Sequence, residues 1–220
     1  MVGKGQFLER STLIPSGKGV LEALSHRGDK RPPLLIIPPV PEEGGSMDHV
    51  IAAEVAWAAA SAGFPTLRFN FKGVGGSQGE RGDDVLEDLE GALRLIQENT
   101  DTTSVVCLAI SQSAKPALEL ARRHPALAGL VFVSPVGIGG SDLAPVSLPL
   151  LVVMGARDIR QPRVAFASAV TEAGGRFEMV EDADHVFQRN LPEVGRHVRD
   201  FLRHLSVEDP AGPNRFTHRS

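Results

Sequence analysis

Cysteine is almost missing from this chain, since Cys107 is the only one among its 220 residues. An intramolecular disulfide is therefore impossible, which excludes the disulfide frameworks of small secreted domains. The first ten residues, MVGKGQFLER, contain no apolar segment of the kind that a secretory signal peptide needs. We therefore expect a cytoplasmic protein, and the excess of Arg over Lys together with abundant Ala suggests a bacterial one.

The chain also lacks long hydrophobic runs and a strong excess of charge. The longest apolar stretches, 51–63 and 104–110, are too short to span a bilayer, so no membrane partner is expected. The net charge is −4 and the isoelectric point is near 6.0, so nothing indicates a nucleic-acid partner. Tyr is missing and His, Cys and carboxylate residues show no metal-ligand spacing. We therefore expect no aromatic-lined pocket, metal or other cofactor.

What the chain does contain is a regular alternation of short apolar runs and helical patterns. The runs predict buried strands at 34–37, 66–71, 104–110, 130–133, 150–154 and 177–180. The helical patterns predict helices at 48–62, 83–99, 112–123, 161–173 and 191–205. Asp48 is the predicted N-cap of the first helix.

This alternation predicts a single α/β domain over residues 1–205. Strands that alternate with helices form right-handed crossovers, which give a mostly parallel sheet with helices on both faces. Residues 7–26 are predicted to add two antiparallel edge strands. Residues 206–220 are polar, contain two prolines, and are predicted to form a disordered tail.

Ser111 lies where such sheets place their functional residues, directly after the strand 104–110. A serine on a tight strand-to-helix turn is a nucleophile elbow, which needs small residues two positions before and after. Ala109 and Ser113 occupy these positions. Two plainer interpretations remain open, because Ser111 could cap the following helix, and Ser113 could be the nucleophile despite the large Lys115 beyond it.

An acid and a histidine follow later strands, in the order that a nucleophile–acid–base triad requires. We predict that Ser111, Asp158 and His185 are catalytic. His185 would accept the serine proton, and Asp158 would fix the imidazole tautomer.

Each of these assignments has an alternative. Asp158 could be a turn residue or a helix cap. Asp182 or Asp184 could be the acid instead, although Asp184 adjoins His185 and is poorly placed to reach the imidazole. The histidines that lie in or beside helices are expected on the solvated surface: His124, His197 and His204.

A tetrahedral intermediate needs two backbone donors. The N–H of Gln112 is one prediction. The loop after strand 34–37 begins Pro38-Pro-Val-Pro41, and because proline has no N–H, Val40 is the predicted second donor. Five apolar residues are predicted to line the substrate site, although each could equally belong to the core: Met47, Phe71, Val136, Ile159 and Phe187.

Several segments together resemble the α/β-hydrolase superfamily. They are VPEEGGSM (40–47), LRFNFKGVGGSQG (67–79), ISQSA (110–114), VMGARD (153–158) and ADH (183–185). Within the superfamily the chain is most similar to compact bacterial hydrolases of the dienelactone-hydrolase-like group, over about residues 30–205. Relatives usually have glycine where Ala109 and Ser113 stand, and often His-Pro-His-Pro where this chain has Pro38–Pro41.

The resemblance implies a serine esterase that takes a small acyl ester or thioester. The connection 134–149 is too short and too rich in Gly, Pro and Ser to build a lid, which predicts an open site. The departures at the elbow leave open a protein that binds without turnover. A peptidase, an acyltransferase, a perhydrolase, and a monomer or a homodimer are also open.

Overall fold

The core of the computed structural model, which describes residues 8–208, is one eight-stranded sheet. Its strands are β1 Arg10–Ser16, β2 Gly19–His26, β3 Leu34–Ile37, β4 Thr66–Phe69, β5 Val106–Ile110, β6 Gly129–Val133, β7 Leu150–Gly155 and β8 Arg176–Val180. Their spatial order is β1-β2-β4-β3-β5-β6-β7-β8. β2 runs antiparallel to β1 and β4, and the remaining pairs are parallel. The predicted mostly parallel sheet is confirmed.

The helices are α1 Val50–Ser61, α2 Val85–Thr100, α3 Ala114–Arg123, α4 Gly140–Leu143, α5 Arg163–Glu172 and α6 Leu191–Glu208. Two 3₁₀ turns, Pro41–Glu43 and Ser111–Ser113, precede α1 and α3. The connection from β6 to β7 holds only the single turn α4, so the predicted absence of a lid domain is confirmed.

Two hydrophobic layers cover the sheet, because successive strand residues point to opposite faces. On β5, Cys107 and Ala109 pack in the layer that contains α2, α3 and α5. Val106, Leu108 and Ile110 pack in the other layer, beneath α1 and α6. Every residue of the central strands β3 to β7 is buried, which is why the sequence shows continuous apolar runs rather than alternation there.

Some predicted boundaries differ from the structure. His49, not Asp48, caps α1, since its Nδ1 accepts a hydrogen bond from the Ile51 N–H at 3.4 Å. The Asp48 side chain is exposed and lies 3.4 Å from Arg68. Helix α6 continues to Glu208, so residues 206–208 are helical. The rest of the predicted tail, 209–220, lies outside the described residues and stays a prediction.

His197 is buried rather than solvated, with 6% of its surface exposed. It falls on the face of α6 that also carries Val194, Val198 and Phe201, a spacing of three and four residues that turns toward the core. Burial lowers the pKa of His197, and the neighbouring Arg196 lowers it further. His197 is therefore neutral in the folded protein at neutral pH.

The lowered pKa of His197 predicts a loss of stability in acid. Because the folded pKa lies below the usual 6.5, this contribution is complete above pH 6.5 and declines as the pH falls from there toward the folded pKa. Urea unfolding is measured about one pH unit above and one unit below 6.5. The free energy of unfolding should fall less at the lower pH in His197→Gln than in the wild type. His124→Gln is the control, because His124 is only half-buried. Its free energy of unfolding should change with pH as that of the wild type does. Identical pH dependence in all three proteins would contradict the prediction.

Candidate active site

Ser111 is presented on a left-handed turn between β5 and α3. Its φ is 57°, a conformation that is strained for a residue with a Cβ. Ala109 and Ser113, which lie two positions before and after Ser111, are both fully buried. The turn therefore has the geometry of the nucleophile elbow that the sequence predicts, built without the usual glycines.

The structure brings the three predicted catalytic side chains into one hydrogen-bonded series. Ser111 Oγ lies 3.2 Å from His185 Nε2, and His185 Nδ1 lies 2.8 Å from Asp158 Oδ2. Asp158 is 2% exposed, whereas the His185 side chain is 16% exposed. The series thus runs from a buried carboxylate, through the more exposed imidazole, to a largely buried serine that borders a cleft.

Asp158 serves the loop and the histidine at once. Its Oδ1 accepts a hydrogen bond from the Arg160 N–H at 3.0 Å, while Oδ2 faces His185. Burial alone would raise the pKa of Asp158, but the hydrogen bonds from His185 and Arg160 outweigh burial, and the net pKa is lowered. Asp158 is consequently ionised at neutral pH, as a partner that holds the Nδ1–H tautomer must be.

A close backbone contact brings the acid and the histidine together. A Cβ at Gly155, the last residue of β7, would lie 2.4 Å from the Ala183 carbonyl oxygen, so only glycine fits there. The Arg157 N–H donates to the same carbonyl at 2.8 Å. Ser134, buried at the end of β6, donates its hydroxyl to the His185 carbonyl at 2.9 Å.

The alternative residues are occupied elsewhere. Ser113 is fully buried and donates to the Pro38 carbonyl at 2.5 Å, away from His185. Asp184 accepts from the backbone of its own turn, at Val186 and Gln188, and Asp182 pairs with Arg157 on the surface. The Ser111 hydroxyl bonds to side chains rather than to the backbone of α3, so it is not a helix cap.

The loop after β3 is fastened from two sides. Ser113 holds its start at Pro38. At its end, Asn70 Oδ1 accepts from the Met47 N–H at 2.7 Å, and the Arg68 guanidinium donates to the Met47 carbonyl. Arg68 and Asn70, which belong to the 67–79 segment of the sequence resemblance, therefore help to position this loop.

The predicted backbone donors differ in their surroundings. The Gln112 N–H faces the cleft and lies 3.4 Å from Glu43 Oε2. The Val40 N–H makes no hydrogen bond within residues 8–208, while the Val40 carbonyl accepts from Glu43 and Gly45. A donor without a protein partner is what the second position of an oxyanion hole requires, and Val40 stays a prediction in that role.

A cleft of about 210 Å³ opens beside Ser111. Its walls are Pro39, Glu43, His49, Ile51, Ile110, Arg160, His185 and Val186. The predicted wall residues lie elsewhere in the described chain. Phe71 and Phe187 are fully buried in the two hydrophobic layers, and Met47 is also buried. Ile159 is 93% exposed, and the Val136 N–H donates to the Ser111 carbonyl behind the elbow.

Three polar residues of the cleft were not predicted from the sequence: Glu43, His49 and Arg160. Glu43 Oε1 lies 3.0 Å from Ser111 Oγ. Arg160 Nη1 lies 3.5 Å from Glu43 Oε1. Burial lowers the pKa of His49, and nearby His185 lowers it further, against the opposing effect of Glu43. All three follow strands whose carboxyl ends meet at the site, but the same is true of many other residues.

Ser113 should stabilise the junction between the elbow and the loop. In Ser113→Ala the Pro38 carbonyl loses its donor while buried, which costs about 1–3 kcal/mol of unfolding free energy. Urea unfolding of Ser113→Ala and the wild type measures this loss. Ser168→Ala, which removes an exposed hydroxyl on α5, is the matched control and should cost little. Equal stability of the two variants would contradict the role of Ser113.

The described part of the chain shows neither a metal-binding cluster nor a membrane-spanning helix. Within residues 8–208, no three or more His, Cys, Asp or Glu side chains are grouped so that they could hold a metal ion. Across the same residues, no helix has the length and apolar character needed to cross a membrane.

Comparisons with known proteins agree with this geometry. A family model described as "Serine aminopeptidase, S33" matches residues 44–154, half of the chain. An uncharacterised protein of Rickettsia prowazekii is 27% identical in an alignment of 186 residues that covers 78% of this chain and 78% of that protein. These matches support the α/β-hydrolase superfamily and do not test the narrower resemblance to dienelactone hydrolases.

Solved structures show the same fold. An α/β serine hydrolase homologue from Coxiella burnetii is 27% identical, with a TM-score of 0.77 over 88% of this chain and 97% of that one. A serine hydrolase without a lid from Xanthomonas campestris is 23% identical, with a TM-score of 0.79 over 94% and 98%. Because the family model covers half of the chain and the fold agrees with it, the chain belongs to the serine aminopeptidase family of the α/β-hydrolase superfamily.

Proposed function

We propose that this protein is a serine hydrolase that cleaves a carboxylic ester or thioester through Ser111, His185 and Asp158. The observation that carries the proposal is the series from Ser111 Oγ to His185 at 3.2 Å and from His185 to Asp158 at 2.8 Å. Such a series turns a weakly nucleophilic hydroxyl into an attacking group at neutral pH.

In the first half-reaction, Ser111 Oγ attacks the carbonyl carbon of the substrate while its proton moves to His185 Nε2. Asp158 stabilises the imidazolium that forms. The negative charge on the carbonyl oxygen is stabilised by the N–H of Gln112 and, as proposed from the sequence, by the N–H of Val40. When the carbon–oxygen or carbon–sulfur bond breaks, His185 returns the proton to the leaving alcohol or thiol.

In the second half-reaction, water attacks the acyl group on Ser111. His185 removes a proton from this water, and the same backbone donors stabilise the second oxyanion. Cleavage of the acyl bond releases the carboxylic acid and returns the proton from His185 to Ser111 Oγ. The cycle consumes one water and needs neither metal nor redox chemistry.

The shape of the cleft limits the acyl group. The cleft is small, about 210 Å³, and the connection that forms a lid in larger hydrolases is reduced here to α4. These features favour short or flexible acyl groups, or an acyl group exposed on a larger molecule, over long buried lipid chains.

Peptide hydrolysis is a second candidate, which the description of the matching family as a serine aminopeptidase favours. The same triad would cleave an amide if His185 protonated the leaving amine. Aminoacyl p-nitroanilides, assayed in parallel with p-nitrophenyl esters, distinguish the two substrate classes.

The test of the proposal is labelling of the purified protein by a fluorophosphonate, together with turnover of a short p-nitrophenyl ester. We expect both in the wild type and neither in Ser111→Ala. Asp158→Asn should lose about 10⁴-fold in kcat, because the amide no longer holds the correct imidazole tautomer.

Ser168→Ala is the matched control, since its hydroxyl bonds only within α5. It should label and turn over as the wild type does. Labelling that persists in Ser111→Ala would assign the nucleophile to another residue. A wild type that neither labels nor turns over any ester or anilide would favour a binding protein without catalysis.

A further inference from the structure

The carboxylate of Glu43 occupies the place where a substrate carbonyl would react. Its Oε1 lies 3.0 Å from Ser111 Oγ and 3.0 Å from Gln112 Nε2, and its Oε2 lies 3.4 Å from the Gln112 backbone nitrogen. The Glu43 side chain is only 14% exposed in this position. A partly buried acid therefore faces both the proposed nucleophile and the backbone donor.

The planar group of Glu43 has the shape of the carboxylic acid that ester hydrolysis releases. One oxygen accepts from the hydroxyl of Ser111, the proposed nucleophile, and the other accepts from the Gln112 N–H, a proposed donor to the substrate oxyanion. The single hydroxyl proton of Ser111 cannot be donated to Glu43 and to His185 together. Glu43 in this position thus opposes the chemistry in two ways, by filling the donor site and by competing for the serine proton.

Glu43 also has a route out of the site. It is the last residue of the 3₁₀ turn Pro41–Glu43, which ends at Gly44 in an open, left-handed conformation. Arg160 Nη1 lies 3.5 Å from Oε1, and its side chain is 54% exposed. The guanidinium can therefore pair with the carboxylate at the mouth of the cleft, outside the donor site.

We propose that Glu43 is an internal ligand of the oxyanion hole, which the acyl carbonyl must displace, and that it selects against acyl groups that carry a negative charge. The displaced carboxylate stays at the wall of a small cleft, where little water screens it from the substrate. Arg160 is more exposed, so its charge is screened more strongly. The selection among ester substrates rests on the proposed function, whereas the competition between Glu43 and a bound carboxylate does not.

Binding of short acids tests the internal ligand without any turnover. Butyrate has the carboxylate that would replace Glu43, and glutarate adds a second one. We expect Glu43→Ala to bind butyrate about tenfold more tightly than the wild type, because the competing ligand is gone. The gain should be larger for glutarate. Both affinities are measured by ligand-observed NMR titration.

Glu42→Ala is the matched control. It removes the neighbouring acid of the same turn, which is exposed and lies against Gly82 rather than in the cleft. Its affinities should equal those of the wild type, and thermal unfolding of each variant checks that it is folded. Equal butyrate affinity in wild type, Glu42→Ala and Glu43→Ala would overturn the internal ligand. Equal gains for the two acids would overturn the selection by charge.

Ester hydrolysis gives an independent readout. Glu43→Gln should raise kcat/KM for the p-nitrophenyl monoester of glutarate more than for p-nitrophenyl butyrate, whereas Glu42→Gln should leave both unchanged. A fall in kcat/KM for the neutral ester in Glu43→Gln would overturn the proposal, because Glu43 would then assist the reaction. If no protein hydrolyses either ester, the proposed function fails, and the acid titrations still decide the role of Glu43.

Discussion

The site depends on the left-handed turn at Ser111, because this turn lifts the hydroxyl out of a buried strand toward His185. A φ of 57° is strained for serine, so the surrounding structure has to hold it in place. Strand β5 is buried on both faces, and the 3₁₀ turn and α3 continue directly from it. The close packing of Ala109 and Ser113 leaves the chain no room to relax the turn.

The substitution of Ser113 for the elbow glycine has a physical consequence beyond size. Its hydroxyl donates to Pro38, and so ties the elbow to the loop that carries the second predicted backbone donor. Asn70 and Arg68 hold the other end of that loop at Met47. The departure from the usual elbow therefore adds a fixed junction between the nucleophile and the oxyanion loop.

The cleft combines the hydrogen-bonded residues Ser111, His185 and Asp158 with the Glu43 carboxylate, which we propose is displaced by substrate. Asp158 and His185 are positioned by the close backbone approach at Gly155 and by the hydrogen bond from the Ser134 hydroxyl to the His185 carbonyl, so their geometry does not depend on a ligand. The Glu43 carboxylate is held by the Ser111 hydroxyl, the Gln112 side-chain amide and the Gln112 backbone N–H, and such contacts exchange readily with those of a substrate. The candidate triad and the proposed displaceable acid thus lie beside one small cleft.

The sequence by itself determined the sheet, its main helices and the candidate triad, because apolar runs mark buried strands and functional residues of such sheets follow the strand ends. The order Ser111, Asp158, His185 was enough to select three residues. The wall residues and Glu43 were decided only by tertiary structure. Whether an apolar residue faces the cleft or the core, as at Phe71 and Phe187, depends on which layer packs over it. Glu43 meets Ser111 across 68 positions of sequence through loop geometry, which leaves no local pattern.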